Sequence, residues 1–273
     1  MPNDPWDPAA YAGFRAERAE PFVELLRLLE PGAPGRAVDL GCGSGELTAL
    51  AHELLGCASL LGLDASPAMI ERARTLERPG LSFARADLAT WTSAGDHDLV
   101  LSNAALHWVP DHAAVLRRWT LALAPGGQLA VQVPANANHP AHQLAAEVAL
   151  EEPFCSALGG APPPDPVAEN VLAPQAYAEL LHELGYARQH VRLQVFAHTL
   201  PATEAVGDWL AGSTLNRFKQ LLPAALFAAY RERLRHRSIE VLGDRRPWLF
   251  TFKRVLLWAR RPGKFADACV TRS

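Results

Sequence analysis

The stretch Ala37-Val38-Asp39-Leu40-Gly41-Cys42-Gly43-Ser44-Gly45 constrains the fold more than any other part of the chain. A short apolar run ends in an acid, breaks into three alternating glycines, and gives way to helical spacing from Glu46. That order predicts a strand, a tight turn and a helix start. Glycines at such a turn leave no Cβ between the backbone and a ligand. A dinucleotide fingerprint would read G-x-G-x-x-G/A, but here the third glycine comes one position early and Glu46 stands where a small residue belongs. A phosphate loop of the G-x-x-x-x-G-K-[ST] type is absent. Asp39, two residues before the first glycine, is a poor neighbour for pyrophosphate and a good one for a cationic ligand. An ordinary βα turn that binds nothing has the same appearance, so this stretch alone leaves both readings open.

Downstream, further apolar runs end in polar residues. The run 59–64 closes on Asp64, 81–87 on Asp87 and 98–103 on Asn103, and 127–133 is a fifth run. A carboxylate ending the second strand can accept from both hydroxyls of a ribose diol, which suits Asp64 to that task. Helical spacing fills 46–55, 67–76 and 111–123. Strands alternating with helices predict an α/β fold, a doubly wound, mostly parallel sheet covered on both faces, with ligands at the carboxyl ends of the strands.

These residues together resemble the class I S-adenosylmethionine-dependent methyltransferase family. Val38 to Gly45 is similar to its first signature, Asp64 to its ribose acid, Asp87 to the acid beside adenine, and Leu123-Ala124-Pro125-Gly126-Gly127 to the loop before its fifth strand. The resemblance implies a Rossmann-like methyltransferase fold and S-adenosyl-L-methionine as cofactor. It implies Asp39, Gly41 and Gly43 around the methionine part, Asp64 on the ribose, Met69 on the adenine face, Asp87 with the Leu88 backbone on the adenine edge, and Asn103 near the sulfonium. A further set of residues resembles the members of that family that esterify trans-aconitate. They are Trp6-Asp7-Pro8-Ala9-Ala10-Tyr11 with Phe14, Glu17 and Arg18, the run 64–70, the run 102–112, His198 to Pro201, Asp208-Trp209, and 252–256. One departure is Leu215-Asn216-Arg217-Phe218-Lys219, where a leucine-arginine-proline run is the pattern.

After Val133 the texture changes. Residues 151–174 contain Pro162-Pro163-Pro164, Pro166 and two adjacent glycines and read as an irregular crossing. Helical spacing returns at 174–184 with Gly185 as a stop, and 191–197 alternates as a strand does. A mostly helical insertion at 203–246 precedes the apolar run 248–258. The expected organisation is a lid-helix region at 1–30 and a methyltransferase domain at 31–262. Within the domain, seven strands carry a helical cap made of insertions near 138–175 and 203–246. Residues 263–273 are expected to form a mobile tail.

Composition narrows the function classes. With 273 residues, 49% of them apolar and 20% charged, the chain can bury one sizeable core. A net charge of −3 offers no general nucleic-acid surface. No apolar run approaches the roughly 18 residues of a membrane span, and the first residues lack a signal-peptide pattern. Cys42, Cys57, Cys155 and Cys269 are scattered without C-x-x-C spacing, which suits a reducing cytoplasm and no structural metal. Cys42 is read as a small side chain filling a tight turn rather than a nucleophile. The expected partner is a small-molecule carboxylate, with neither nucleic acid nor membrane, and the chain a monomer or small homo-oligomer.

Methyl transfer from a sulfonium is an in-line displacement that needs a nucleophile about 3 Å from the methyl carbon and no water. An alcohol or amine acceptor also wants a base, whereas a carboxylate with a pKa of about 4 does not. His107 is the candidate base, with a cleft wall as its other reading and the favoured one for a carboxylate acceptor. Trp108 is expected to line the methyl pocket, and His198 reads as a packing residue. Cations for a polyacid are sought among Arg217, Lys219, Arg245, Arg246 and Arg254. Of these, Arg254 interrupts an apolar strand, where an unpaired charge is costly, and Arg217 is helped by apolar flanks. Tyr11 is placed with the substrate and Arg18 with the cofactor carboxylate, surface pairing with Glu17 or Glu20 being the alternative for Arg18. Other acids, including a carrier-bound malonyl group, and a non-catalytic cofactor-binding protein remain as alternatives. The glycine spacing disfavours a nicotinamide oxidoreductase.

Overall fold

The computed structural model describes residues 15–211 and 214–263, and of residues 15–18 the backbone only. Chain order begins α1 (Arg15–Leu26), β1 (Arg36–Leu40), α2 (Glu46–Leu55), β2 (Ser59–Asp64), α3 (Pro67–Arg74), β3 (Leu81–Arg85), β4 (His97–Asn103), α4 (His112–Ala122) and β5 (Leu123–Pro134). It continues with α5 (Pro140–Val148), α6 (Phe154–Ala157), α7 (Pro166–Asn170), α8 (Pro174–Glu183), β6 (Arg188–Leu200), α9 (Val206–Ala211), α10 (Asn216–Lys219), α11 (Ala224–Leu242) and β7 (Trp248–Arg260). Short 3-10 turns lie at Leu106–Trp108 and Thr203–Ala205.

The seven strands form one sheet in the order β3-β2-β1-β4-β5-β7-β6. β1 to β5 pair in parallel and β7 runs antiparallel to β5, as Val131↔Leu257 and Pro134↔Arg254 show. The chain therefore winds outward from β1 through β2 to β3, then crosses to β4 and β5 on the other side. The switch of direction falls between β1 and β4, where an open α/β sheet leaves a crevice at its carboxyl ends. Near-continuous burial along β1 and β4 follows from helices covering both faces.

Local chemistry sets the helix ends. Gly45 and Gly56, both left-handed, bracket α2, and the Gly56 N–H closes on the His52 carbonyl. Ser66 caps α3, its hydroxyl accepting from the Met69 N–H at 3.1 Å, with Pro67 in the first turn. Two expectations shift. The stretch Leu123 to Gly127 belongs to β5 rather than preceding it, and its register with β4 is irregular between His97 and Leu99. Gly127 permits this because a Cβ there would stand 2.8 Å from the His97 carbonyl oxygen. The crossing at 151–174 holds two short helices, α6 and α7, seeded by Cys155 N–H to the Glu151 carbonyl and Val167 N–H to the Asp165 carboxylate.

The chain divides into two compact units. The sheet unit comprises Arg18–Pro134, Asn170–Gln194 and the described residues from Arg254 onward. Its core includes Leu40, Leu60, Leu99, Leu101 and Trp119, all fully buried. Gln128 ties the segment after α1 to the sheet, accepting from the Glu30 N–H and the Trp258 indole N–H, both at 2.8 Å. The second unit contains Ala135–Glu169 and Val195–Lys253. Leu144, Val148, Trp209, Phe218, Tyr230 and Phe250 share its core. There α5 and α11 are fastened by Tyr230 Oη donating to the Ala145 carbonyl at 2.6 Å and by the Arg233–Glu151 ion pair. No helix among the described residues is long and apolar enough to cross a membrane. The lid-helix expectation for residues before 15 and the tail expectation beyond 263 lie outside the described residues.

Candidate active site

The glycine turn ends β1 at the switch point. Gly41 and Cys42 donate to the Leu63 carbonyl at 2.7 and 3.0 Å, which pins the turn to β2. Its three glycines serve different purposes. A Cβ on Gly41 would stand 2.1 Å from the Ala105 Cβ, and one on Gly45 2.8 Å from Ala73 and 2.9 Å from the Phe83 ring. Those two positions are glycine because protein atoms fill the space. Gly43, with φ +54, faces nothing within 4 Å, so open space lies beside its backbone. Cys42 is buried, and burial with the charges of Asp39 and Asp64 drives its thiol pKa far up, so it stays protonated and is no nucleophile.

Three acids surround the turn. Asp39 is 3% exposed, and its Oδ2 accepts from the Thr48 hydroxyl at 2.6 Å. Its Oδ1 is buried with no hydrogen-bond partner. Burial pushes its carboxyl up to about 6, Thr48 opposing and Asp64 adding to the rise. Asp64 accepts from the Gly43 N–H and the Ser66 N–H, each at 2.9 Å, so it shapes the turn before any ligand arrives. Asp87 is exposed and accepts from the Ala89 N–H at 2.8 Å. Met69 is buried, and the Leu88 carbonyl accepts from the Trp119 indole at 3.2 Å. An unpartnered carboxylate oxygen beside open backbone fits a ligand bearing N–H donors and positive charge. The amino group of S-adenosyl-L-methionine has both.

The loop after β4 supplies the other side. Asn103 ends the strand, and its Oδ1 is also buried without a partner. Ala104 (φ 51) and Asp111 (φ 54) hold left-handed backbone at the two ends of the loop. Between them His107 is 5% exposed, its ring 4.7 Å from that of the half-buried Trp108. Burial, then the charge of Arg254, then His112 push the His107 pKa down to about 3. A ring so weakly basic is neutral near pH 7 and cannot serve as an efficient base there. The cleft-wall reading is therefore the one its electrostatics support. Arg254 faces Pro134 across the β5–β7 pairing and is partly buried.

In the second unit, the Arg217 side chain is 10% exposed. It donates to the Pro163 carbonyl at 3.0 Å, approaches Asp165 at 3.5 Å and lies over the Phe218 ring. Burial lowers its pKa, Asp165 opposing, and its Nε is buried without a hydrogen-bond partner. Arg217 thus braces the proline-rich crossing. Lys219 and Arg245 are exposed, and Arg246 pairs with Glu204 and Asp244 at the surface. His198 is buried against Trp209, ring centroids 5.0 Å apart. Tyr11 lies outside the described residues, as does the side chain of Arg18. Sequence reasoning missed Thr48, whose spacing of nine from Asp39 carries no motif, and Ala105, Asn170 and Tyr177, which read as ordinary loop and helix residues.

Comparison with known proteins agrees with this geometry. Residues 11–191 match the family model described as "Methyltransferase domain". A trans-aconitate 2-methyltransferase of Acidovorax sp. (strain JS42) is 38% identical over 258 residues, covering 94% of this chain and 98% of that protein. One of Methylobacterium radiotolerans is 42% identical over 217 residues, covering 78% and 81%. Among solved structures, an S-adenosylmethionine dependent methyltransferase from Mesorhizobium loti superposes with a TM-score of 0.50 at 26% identity, covering 89% of this chain and 98% of the other. The chain belongs to the S-adenosylmethionine-dependent methyltransferases and, within them, to the trans-aconitate 2-methyltransferase family.

Proposed function

We propose that this enzyme transfers a methyl group to a carboxylate of a small polycarboxylic acid, with trans-aconitate, converted to its monomethyl ester, as the acceptor. The observation that carries this reading is the neutral His107 of the loop after β4 lying within reach of the positive charge of Arg254 on β7. An acceptor that is already ionised needs charge neutralisation and orientation and no proton removal. The names and 36–42% identities of the relatives support the same acceptor.

When bound, the cofactor supplies an electrophilic methyl on a positively charged sulfur. Asp39 and the open backbone at Gly43 take its methionine end, with Gly41 and Asn103 beside them. Asp64 takes the ribose hydroxyls, and Met69, Asp87 and Leu88 hold the adenine. Trp108 and His107 wall the methyl and keep water out. Arg254 draws a carboxylate of the acceptor to the carboxyl end of the sheet. Arg217 remains a candidate substrate residue, its Nε buried without a hydrogen-bond partner. Arg18 is kept as a candidate for the cofactor carboxylate, with surface pairing as its alternative, and Tyr11 as a candidate for the substrate. The same reading makes the protein a cytoplasmic small-molecule enzyme, a monomer or small homo-oligomer, on the strength of its scattered cysteines and a net charge of −3.

The test is a methyl-transfer screen over small di- and tricarboxylates with mass detection. A monomethyl ester of trans-aconitate is expected. Cofactor binding with no acid methylated would overturn the reading.

A further inference from the structure

We propose that Asn170, Tyr177 and His112 form a clamp that holds the loop after β4 in the shape methyl transfer requires, which makes them positioning residues. The inference rests on the methyl-transfer reading above.

The loop is a strained object. Ala104 and Asp111, at φ 51 and φ 54, close its two ends in a region that L-residues other than glycine, asparagine and aspartate enter only at a cost. Asp111, an aspartate, tolerates this backbone and also caps α4, its carboxylate accepting from the Ala114 N–H at 3.0 Å. Ala104 has no side chain that could do the same. Its N–H is held by the Gln132 carbonyl at 2.9 Å, and the remaining restraint comes from further along the loop. Such backbone persists only where its surroundings over-determine it.

Two carbonyls between the bends supply that restraint. The His107 carbonyl accepts from Asn170 Nδ2 at 2.9 Å, and the Leu106 carbonyl lies 3.0 Å from His112 Nε2. A carbonyl can only accept, so His112 carries its proton on Nε2. Its pKa is lowered mainly by burial, so the ring is neutral and Nδ1 is an acceptor. Tyr177 Oη, 2.6 Å away, therefore donates to Nδ1. In turn Tyr177 Oη accepts weakly from the Leu172 N–H at 3.4 Å. The result is one directed chain, from Leu172 through Tyr177 and His112 to Leu106. Tyr177 is 0% exposed and His112 2%, and their rings stack at 5.9 Å. A buried network whose members are all satisfied is rigid, and losing one member leaves another stranded.

Position gives the clamp its consequence. The loop carries Ala105, which seats against Gly41, and His107 and Trp108 at the carboxyl end of β4. Asn170 begins the stretch in which the chain rejoins the sheet unit. None of the three clamp side chains belongs to a strand, so the sheet does not depend on them; the loop does. A loose loop would misplace the walls of the methyl site, and misplacement of about 1 Å can cost on the order of 100-fold in rate.

The test combines Asn170→Ala, Tyr177→Phe, His112→Ala and His112→Gln with two readouts. The first is amide hydrogen exchange, followed by mass spectrometry, in peptides covering 104–111. The second is the kinetics of acceptor methylation alongside cofactor affinity by calorimetry. Expected are exchange at least tenfold faster in that segment alone, and kcat lower by tenfold or more with cofactor Kd changed less than threefold. His112→Gln, whose carboxamide offers both a donor and an acceptor, should recover part of the kcat that His112→Ala loses. Unchanged exchange and kcat in Tyr177→Phe and Asn170→Ala would overturn the clamp, as would uniform loss of protection across all strands. Should the wild type methylate no acid at all, the functional reading fails, and the exchange readout still judges the clamp.

Discussion

Gly41 and Ala105 meet where the first and fourth strands end, so closely that a Cβ on Gly41 would stand 2.1 Å from the Ala105 Cβ. The contact joins the glycine turn to the loop that carries His107 and Trp108. Its tightness requires glycine at position 41 on packing grounds alone, whereas Gly43 faces open space.

Gly41→Ala is expected to destabilise the fold by about 3 kcal/mol or more, because overlap adds to an unfavourable φ of +82. Gly43→Ala, facing open space, should cost only about 1 kcal/mol for its left-handed backbone. It should nevertheless weaken cofactor binding at least tenfold. Thermal unfolding and calorimetry on the two variants distinguish the effects, and equal stability losses would refute the division.

Asp39 ties stability to pH. Its carboxyl sits at about 6 in the folded chain against an ordinary 3.8, so between those values the folded state holds a proton the unfolded state has released. Stability of the ligand-free protein should therefore fall as pH rises from about 4 through about 6, by up to about 3 kcal/mol. Asp39→Asn should abolish that slope, stabilise the ligand-free protein at pH 7 and weaken cofactor binding. Cofactor affinity of the wild type should rise with pH over the same window. Denaturant titrations and calorimetry at pH 5, 6, 7 and 8 check both trends.

His107 should leave no inflection in the pH–rate profile between pH 6 and 8, because its pKa lies at about 3. His107→Gln should keep kcat within about tenfold of wild type, where loss of a true general base costs about 10²–10⁴. A loss of a thousandfold would restore the base assignment.

For Arg254→Gln the acceptor KM should rise by at least tenfold while cofactor Kd holds. A charged hydrogen bond removed from a partly buried site is worth about 1.5–3 kcal/mol. Equal losses in both constants would make Arg254 a structural residue.

The sheet was legible because its strands end in chemistry. Apolar runs closing on Asp64 and Asn103 gave β2 and β4 nearly to the residue, and Ser66-Pro67 and Gly56 marked helix boundaries through their own backbone preferences. What periodicity could not reveal was distance in space. Nothing in the sequence places Ala105 beside Gly41, so the packing reason for that glycine was not legible. His107 could be read as a base or, by preference for a carboxylate acceptor, as a cleft wall, and the burial that lowers its pKa is a tertiary property no spacing shows. Asn170 and Tyr177 lie more than 60 residues from their partners His107 and His112, and no spacing in the sequence signals contact at that separation. The start of β5 was missed for a different reason, since glycines that usually mark a loop here admit a close backbone approach.

The second unit is assembled from two separate excursions of the chain, 135–169 and 195–253, and Tyr230 reaches from the later one to the Ala145 carbonyl of the earlier. Neither excursion carries a complete core of its own. A chimera that exchanges only one of the two stretches with a relative would pair mismatched halves of one core, so the two are expected to transplant only as a set.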